Sequence, residues 1–301
     1  MAQQIGEAQR PGFAAVRRAP MTLTWAWLGI APFIAFAFAF LILPSGGLFV
    51  GSFLDDHGHF TLSNIMGLGQ AFVLNAYWLS IKVSLVTALG GGILGFMLSY
   101  AVILGGLPRF LRTGLMTFSG VASNFAGVPL AFAFIATLGR TGMVTAVLRS
   151  VFHLDIYSAG FNLYSFWGLS LTYMYFQFPL MVLIIAPALD GLRHEWREAA
   201  ENLGASSADY WRYVAFPILA PSLLGTMLLL FGNSFGAYAT AFSLTGGSLN
   251  LAPIVIGAEI RGEVLHDPGL GYALALGMVV VMCACIALYT WLQGMTARRL
   301  R

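Results

Sequence analysis

The sequence predicts an all-α membrane protein with six transmembrane helices, on the strength of three observations. Hydrophobic residues make up 58% of the 301 positions and charged residues only 9%, with a mean hydropathy of +0.81. That leaves too little polar surface to coat a water-soluble globule. Six stretches approach the ~20 mostly apolar residues that a helix needs to cross ~30 Å of hydrocarbon. Each is continuously apolar, without the polar-in, apolar-out alternation of barrel strands, so helices are the spanning elements.

The six runs are Trp25 to Leu43, Trp78 to Leu104, Leu115 to Leu138, Phe166 to Leu189, Val214 to Leu244 and Leu270 to Leu292. A single membrane domain thus covers 25–296, with tails at 1–24 and 297–301 and a polar loop at 190–213. Arg17 and Arg18 precede the first run, but no small-residue cleavage pattern follows a short apolar core, so the run reads as a retained helix.

Basic residues set the orientation. With the amino terminus inside, the inner segments carry eleven arginines: Arg10, Arg17, Arg18, Arg109, Arg112, Arg193, Arg197, Arg212, Arg298, Arg299 and Arg301. The outer segments carry three, Arg140, Arg149 and Arg261. That bias places both termini in the cytosol. It also turns the net charge of +3 into a topology signal and excludes nucleic-acid binding. Lys82 lies about one turn below Trp78 and can snorkel to the outer headgroups.

Between the fourth and fifth runs the chain leaves the membrane on the arginine-rich side. Trp196, Ala199, Ala200 and Leu203 recur at i, i+3, i+4 and i+7, one apolar stripe on a short helix. Glu195, Arg197, Glu198, Glu201 and Asn202 occupy the other faces. Gly204 suits the left-handed residue that ends a helix. Ser206 and Asp209 stand three apart as a capping-box pair for a second helix. So short a helix is marginal in water and needs a surface, either a partner or the membrane and the protein's own spans.

The run Glu198-Ala199-Ala200, three residues, Gly204, nine residues, then Val214-Ala215-Phe216-Pro217 closely resembles the cytoplasmic EAA motif of permease subunits of binding-protein-dependent ATP-binding-cassette importers. Val214 and Phe216 stand where the family more often has isoleucine and leucine. The second run with Asn75, the stretch from Val128-Pro129 to Leu148 with Gly139 and Gly142, Phe178-Pro179-Leu180-Met181 and Phe231 to Phe242 look like the spermidine/putrescine branch. The resemblance covers roughly Phe72 to Leu292.

It implies a type I importer permease fold with a coupling helix between helices 4 and 5, Trp196, Glu198, Ala199, Ala200, Glu201, Leu203 and Gly204 docking in a groove of the ATPase. It further implies a bacterial inner membrane protein working with a second permease, two ATPase subunits and an extracytoplasmic solute-binding protein. A polyamine is the implied solute, with ferric ion, phosphonate or other organic solutes as alternatives.

The chain itself carries no nucleotide loop. Its one lysine, Lys82, follows Ile81 in apolar sequence and cannot serve a G-x-x-x-x-G-K-[ST] motif, so ATP would bind the partner subunits and no cofactor is expected here. No G-x-S-x-G turn, H-E-x-x-H pair or intramembrane carboxylate cluster supports catalysis, which speaks against an enzyme and against an ion-coupled secondary transporter or channel. Cys283 and Cys285 point to opposite sides of a helix, and His57 and His59 lack a third ligand, so no metal site is expected.

Asn124, Gln177, Asn233 and Ser234 are the pathway candidates, because polar side chains at membrane depth usually face protein or water. An amide there equally serves as a tie between helices. Gly232 and Gly236 around Asn233-Ser234-Phe235 mark a weak point in the fifth run, and Pro217 with Pro221 a stiff entry to it. Gly90, Gly91, Gly92 and Gly95 permit close helix approach, and Gly91 with Gly95 also fits pairing with a second permease. Acidic outer residues, Asp55, Asp56, Asp155, Glu259, Glu263 and Asp267, suit a cationic solute or a basic docking protein, and are equally the ordinary mirror image of a positive-inside topology.

Overall fold

A computed structural model describes residues 23–55, 57–261 and 267–299. Arg10, Arg17, Arg18, Asp56, Glu263 and Arg301 lie outside the described residues. The chain divides into two units, 1–47 and 48–301. The first holds α1 (Leu23–Ala37) and a π-helical turn, Phe38–Ile42; α2 (Leu43–Gly51), which closes the first candidate span, runs across the division.

The second unit contains α3 (Ser63–Gly67), α4 (Ala71–Ile103), α5 (Arg109–Ala122), α6 (Val128–Leu138), α7 (Met143–Val151) and α8 (Phe166–Asp190). These are followed by α9 (His194–Asn202), α10 (Ser207–Tyr210), a π-helical turn at Trp211–Ala215, α11 (Phe216–Phe235), α12 (Tyr238–Thr245), α13 (Ala252–Arg261) and α14 (Pro268–Arg299). Six candidate spans emerge among the described residues, as the composition requires.

The centre of the unit is α4 against α8. Along α4, Ser80, Ser84, Thr87, Gly91, Gly95 and Ser99 form a buried stripe of small residues. An ideal Cβ at Gly91 would stand 2.5 Å from Gln177 Cβ, and one at Gly95 2.5 Å from the Phe178 carbonyl oxygen. The two backbones therefore approach as only glycine allows, the means by which helices gain packing in a solvent as apolar as themselves. This corrects one expectation: Gly91 and Gly95 are consumed within the chain and are not free to pair with a second permease. Gly92 similarly admits the Met227 side chain from α11.

The third run departs from its expected bounds, Leu115 to Leu138. It is two helices, α5 and α6, separated by a turn at 123–127. Pro129 has no N–H for the Phe125 carbonyl and restricts Val128, while Gly127 sits at φ 75°, ψ −147°, a region that essentially only glycine enters. Its N–H donates to Thr240 Oγ1 at 2.7 Å, tying the turn to α12. Beyond α6 a Gly139–Gly142 turn leads to the amphipathic α7. Carrying the crossing on to Val151 would put Arg140 and Arg149 in hydrocarbon, which disfavours 128–151 as the membrane segment.

The fifth run is likewise interrupted where its glycines predict. α11 stops at Phe235 and α12 starts at Tyr238, with Ala237 at φ −75°, ψ 84°. At its entry the proline effect takes a particular form: Phe216 N–H reaches back five residues to the Trp211 carbonyl. Pro217 can offer no N–H to Tyr213, and the wider turn absorbs the lost bond.

Candidate functional site

The site is the elbow between α8 and α11. α9 ends as the residues dictate: Gly204 adopts φ 82°, its N–H donates to the Glu201 carbonyl at 2.9 Å, and Ala205 N–H donates to the Ala200 carbonyl at 3.0 Å. These two bonds are a Schellman closure, which satisfies carbonyls that the helix end would otherwise strand. One residue on, Ser206 Oγ accepts from Asp209 N–H at 3.2 Å while the Asp209 carboxylate accepts from Ser206 N–H at 3.0 Å. The Ser206 hydroxyl also donates to that carboxylate and, with the Ser206 amide, holds its pKa below the usual range. A helix stop and a helix start thus share a two-residue joint, and the direction of α9 against α10 is fixed by backbone bonds.

No residue of α9 is buried. Leu203 is 88% exposed and Trp196 36%, and Ala199 is open as well. The predicted apolar stripe exists, and its Ala199 and Leu203 are left open by the described residues. Arg197 pairs with Glu201 at 2.9 Å on the neighbouring face. Glu198 has no ion-pair partner among the described residues. Tyr100 at the end of α4 meets the Trp211 ring edge-on at 5.2 Å between centroids, anchoring the joint to the bundle.

The pathway candidates fall into two kinds. Gln177 is fully buried on α8, its Nε2 donating to the Leu230 carbonyl at 2.7 Å and to Ser234 Oγ. Ser234 is 4% exposed and shares a 2.8 Å hydrogen bond with Thr87 Oγ1. Together they tie α4, α8 and α11 just before the break in the fifth run, and Tyr173 OH donates to the Ala237 carbonyl inside that break. Asn124 and Asn233 are both exposed: Asn124 in the turn between α5 and α6, donating to Gly120 O at 2.8 Å, and Asn233 on α11. Sequence reading missed Thr87 and Tyr173. The position of Thr87 four residues before Gly91 was the available signal, because it shares the glycine stripe.

Of the outer acids among the described residues, Asp55, Asp155 and Asp267 hold local structure. Asp55 accepts the His59 and His57 N–H groups and is lowered by them. Asp155 pairs with Arg149 at 3.2 Å, and Asp267 Oδ1 accepts Leu270 N–H at the start of α14. Glu259 is 3% exposed, and burial followed by the charge of Asp267 pushes its carboxyl up. Acids so committed offer little to a cationic solute. Lys82 stands over the Trp78 ring at 4.8 Å, an anchor at the span end. Among the described residues no group of three metal-ligating side chains occurs.

Comparison with known proteins places this geometry. The chain is 27% identical over 216 residues, 71% of its length and 75% of the other, to a protein of Helicosporidium sp. subsp. Simulium jonesii named a probable sulfate transport system permease. It is 24% identical over 263 residues to a ferric transport system permease of Actinobacillus pleuropneumoniae, covering 86% of this chain but 37% of that one. It is 28% identical over 157 residues, 52% of this chain and 28% of the other, to a thiamine transport system permease of Escherichia coli K12. None of these names mentions a polyamine, so the expected spermidine/putrescine branch draws no support from them. In fold it is similar to a chain of a bacterial ABC transporter involved in the import of the acidic polysaccharide alginate, with a TM-score of 0.67, 14% identity, and 91% and 95% coverage. Residues 98–301, which hold the Schellman-closed helix, its capping-box partner and the broken fifth run, match the profile of one family, and the chain belongs to it: the inner membrane components of binding-protein-dependent transport systems.

Proposed function

We propose that this chain is one permease half of an ATP-driven importer, and that α9 is its coupling helix, seated in a groove of a separate ATPase. The observation that carries this is the exposed apolar face of Trp196, Ala199 and Leu203 on a helix whose direction is locked at its carboxyl end. A surface helix too short to be stable alone, with its apolar stripe open, requires an occupant. The location on the arginine-rich side puts that occupant in the cytosol, with both termini.

In this reading two ATPase subunits, a second permease and a solute-binding protein complete the machine. Support comes from a second structure of similar fold, in which the bacterial alginate transporter is in complex with an alginate pentasaccharide-bound periplasmic protein. ATP stays on the ATPases. Their closure moves α9; the Ser206–Asp209 box passes the movement to α10 and, through the π turn, to α11. The break at Gly236–Ala237 lets the inner part of the fifth run tilt while α12 stays with α6. Asn124 and Asn233, open beside the two breaks, line the pathway, whereas Gln177 and Ser234 position the helices around it. The solute is small and polar. Relatives named for sulfate, ferric and thiamine transport suit a reading in which the binding protein sets selectivity, and the committed acids Asp55, Asp155 and Asp267 weigh against a polycation.

The test is co-purification in mild detergent. The cognate ATPase should come down with wild type and be lost with Leu203→Asp, Glu198→Arg or Gly204→Pro. Retention in all three, or solute flux by the chain alone in vesicles without ATP, sinks the proposal.

A further inference from the structure

Behind α9 lies a cavity of about 270 Å³ that the transport reading leaves unused. Tyr100 and Leu104 at the end of α4 line it together with Trp211, and so do Arg193, His194 and Arg197. No carboxylate lines it. Arg197 is neutralised by Glu201, but Arg193 has no ion-pair partner among the described residues; its guanidinium stands over the Trp196 ring at 5.9 Å. Tyr210 also lines the cavity, is 7% exposed, and makes no hydrogen bond through its hydroxyl to the described residues. The ring is enclosed while its hydroxyl keeps access to open space, so it can donate to a bound group.

Two chemistries meet here. Cationic and hydroxyl donors suit a phosphate oxygen, and Arg does so with a planar fork of N–H groups. The adjoining wall of Leu104, Tyr100 and Trp211 is apolar and aromatic, at the height where such rings mark the headgroup layer. A free phosphate would use the first chemistry only. We propose that the cavity binds the headgroup phosphate of an anionic phospholipid, held by Arg193 and the Tyr210 hydroxyl, with the glycerol end over Leu104. The site rests on the inward placement of α9, since that leaflet is the one whose anionic lipids meet basic pockets between spans. Arg193 is the residue that precedes α9, so an occupied site holds the root of the coupling helix.

The full chain, purified without partners, is titrated with phosphatidylglycerol, with phosphatidylcholine of the same acyl chains, and with inorganic phosphate, and read by native mass spectrometry. Wild type should retain one phosphatidylglycerol in preference to phosphatidylcholine. Arg193→Gln should weaken that retention about tenfold, equivalent to ~1.4 kcal/mol. Arg193→Lys should keep most of the binding, while Tyr210→Phe should lose part of it. Arg149→Gln, remote on α7, should change nothing. Equal retention of both lipids, or wild-type retention by a folded Arg193→Gln, overturns the site. Inorganic phosphate competing as well as the lipid overturns the lipid source, and displacement of the lipid by added ATPase reassigns the cavity to a protein side chain. The lipid, phosphate and variant arms are read before any ATPase is added, so a failed co-purification leaves them intact. One-sided labelling of a Ser207→Cys variant, with Cys283 and Cys285 replaced by Ala, tests the inward placement separately.

Discussion

Replacing Gly95 by alanine should loosen the centre of the bundle. The new methyl would lie 2.5 Å from the Phe178 carbonyl oxygen and 2.6 Å from Met181 Cβ, and Met181 is fully buried. Optimal contact is at roughly 3.5–4.0 Å, so α4 and α8 must part by about 1 Å along their shared seam. Overpacking of this kind costs ~1–3 kcal/mol. Alanine regains up to ~1 kcal/mol through its better helix propensity. The matched control is Gly114→Ala on α5, where a Cβ meets nothing within 4 Å and only the propensity gain applies. The variants should therefore differ by ~1–3 kcal/mol when unfolded by SDS titration in mixed micelles and followed by far-ultraviolet circular dichroism. Equal midpoints would show that the glycine seam is not a close contact.

Three further outcomes are expected. Ser206→Ala removes the capping hydroxyl and should destabilise the elbow by ~1 kcal/mol, seen as faster amide exchange at 207–210 with the spans unchanged. Because Asp209 is depressed by its Ser206 bonds, its contribution is fully present above the unfolded carboxyl value of about 3.9 and is lost as pH falls through the lower folded value. Amide protection at Asp209, corrected for intrinsic exchange, should thus be flat from about pH 5 to 8 and drop only below about pH 4. Gln177→Leu deletes two interhelical bonds worth ~0.6 kcal/mol each but also the buried Oε1, which has no partner. Its thermal midpoint should stay near wild type, whereas Gln177→Glu, which buries a charge, should fall well below it.

The spans were legible because membrane solvation imposes one demand, continuous apolar helix, that composition records directly. The elbow was legible for a different reason: Gly204, Ser206 and Asp209 each act through local backbone bonds, so spacing alone determines their geometry. What spacing could not reveal was partnership across the sequence. Gly91 and Gly95 look alike whether they face α8 or another chain, and only the fold brings Gln177 and Phe178 against them. Likewise Gln177 and Asn233 are both amides at membrane depth, yet burial separates a helix tie from a more open side chain. The break at 123–127 was written in Gly127 and Pro129, but hydropathy outweighed them because a half-helix is as apolar as a whole one.

The widened turn at Trp211–Ala215 bears on how the elbow is aimed. A π turn accommodates one residue more than an α turn, so a single deletion within it would restore regular α-helix. Each α-helical residue advances the chain by about 100° of rotation. Inserting one residue in the regular helix just beyond the π turn, where no wide turn absorbs the change, would leave the Schellman closure, the capping box and every span in place, yet swing Leu203 and Trp196 roughly a quarter-turn about the axis of α11. The apolar stripe would then face a new azimuth. A one-residue length change, with no contact residue altered, is thereby sufficient to uncouple the inner helix from whatever drives it.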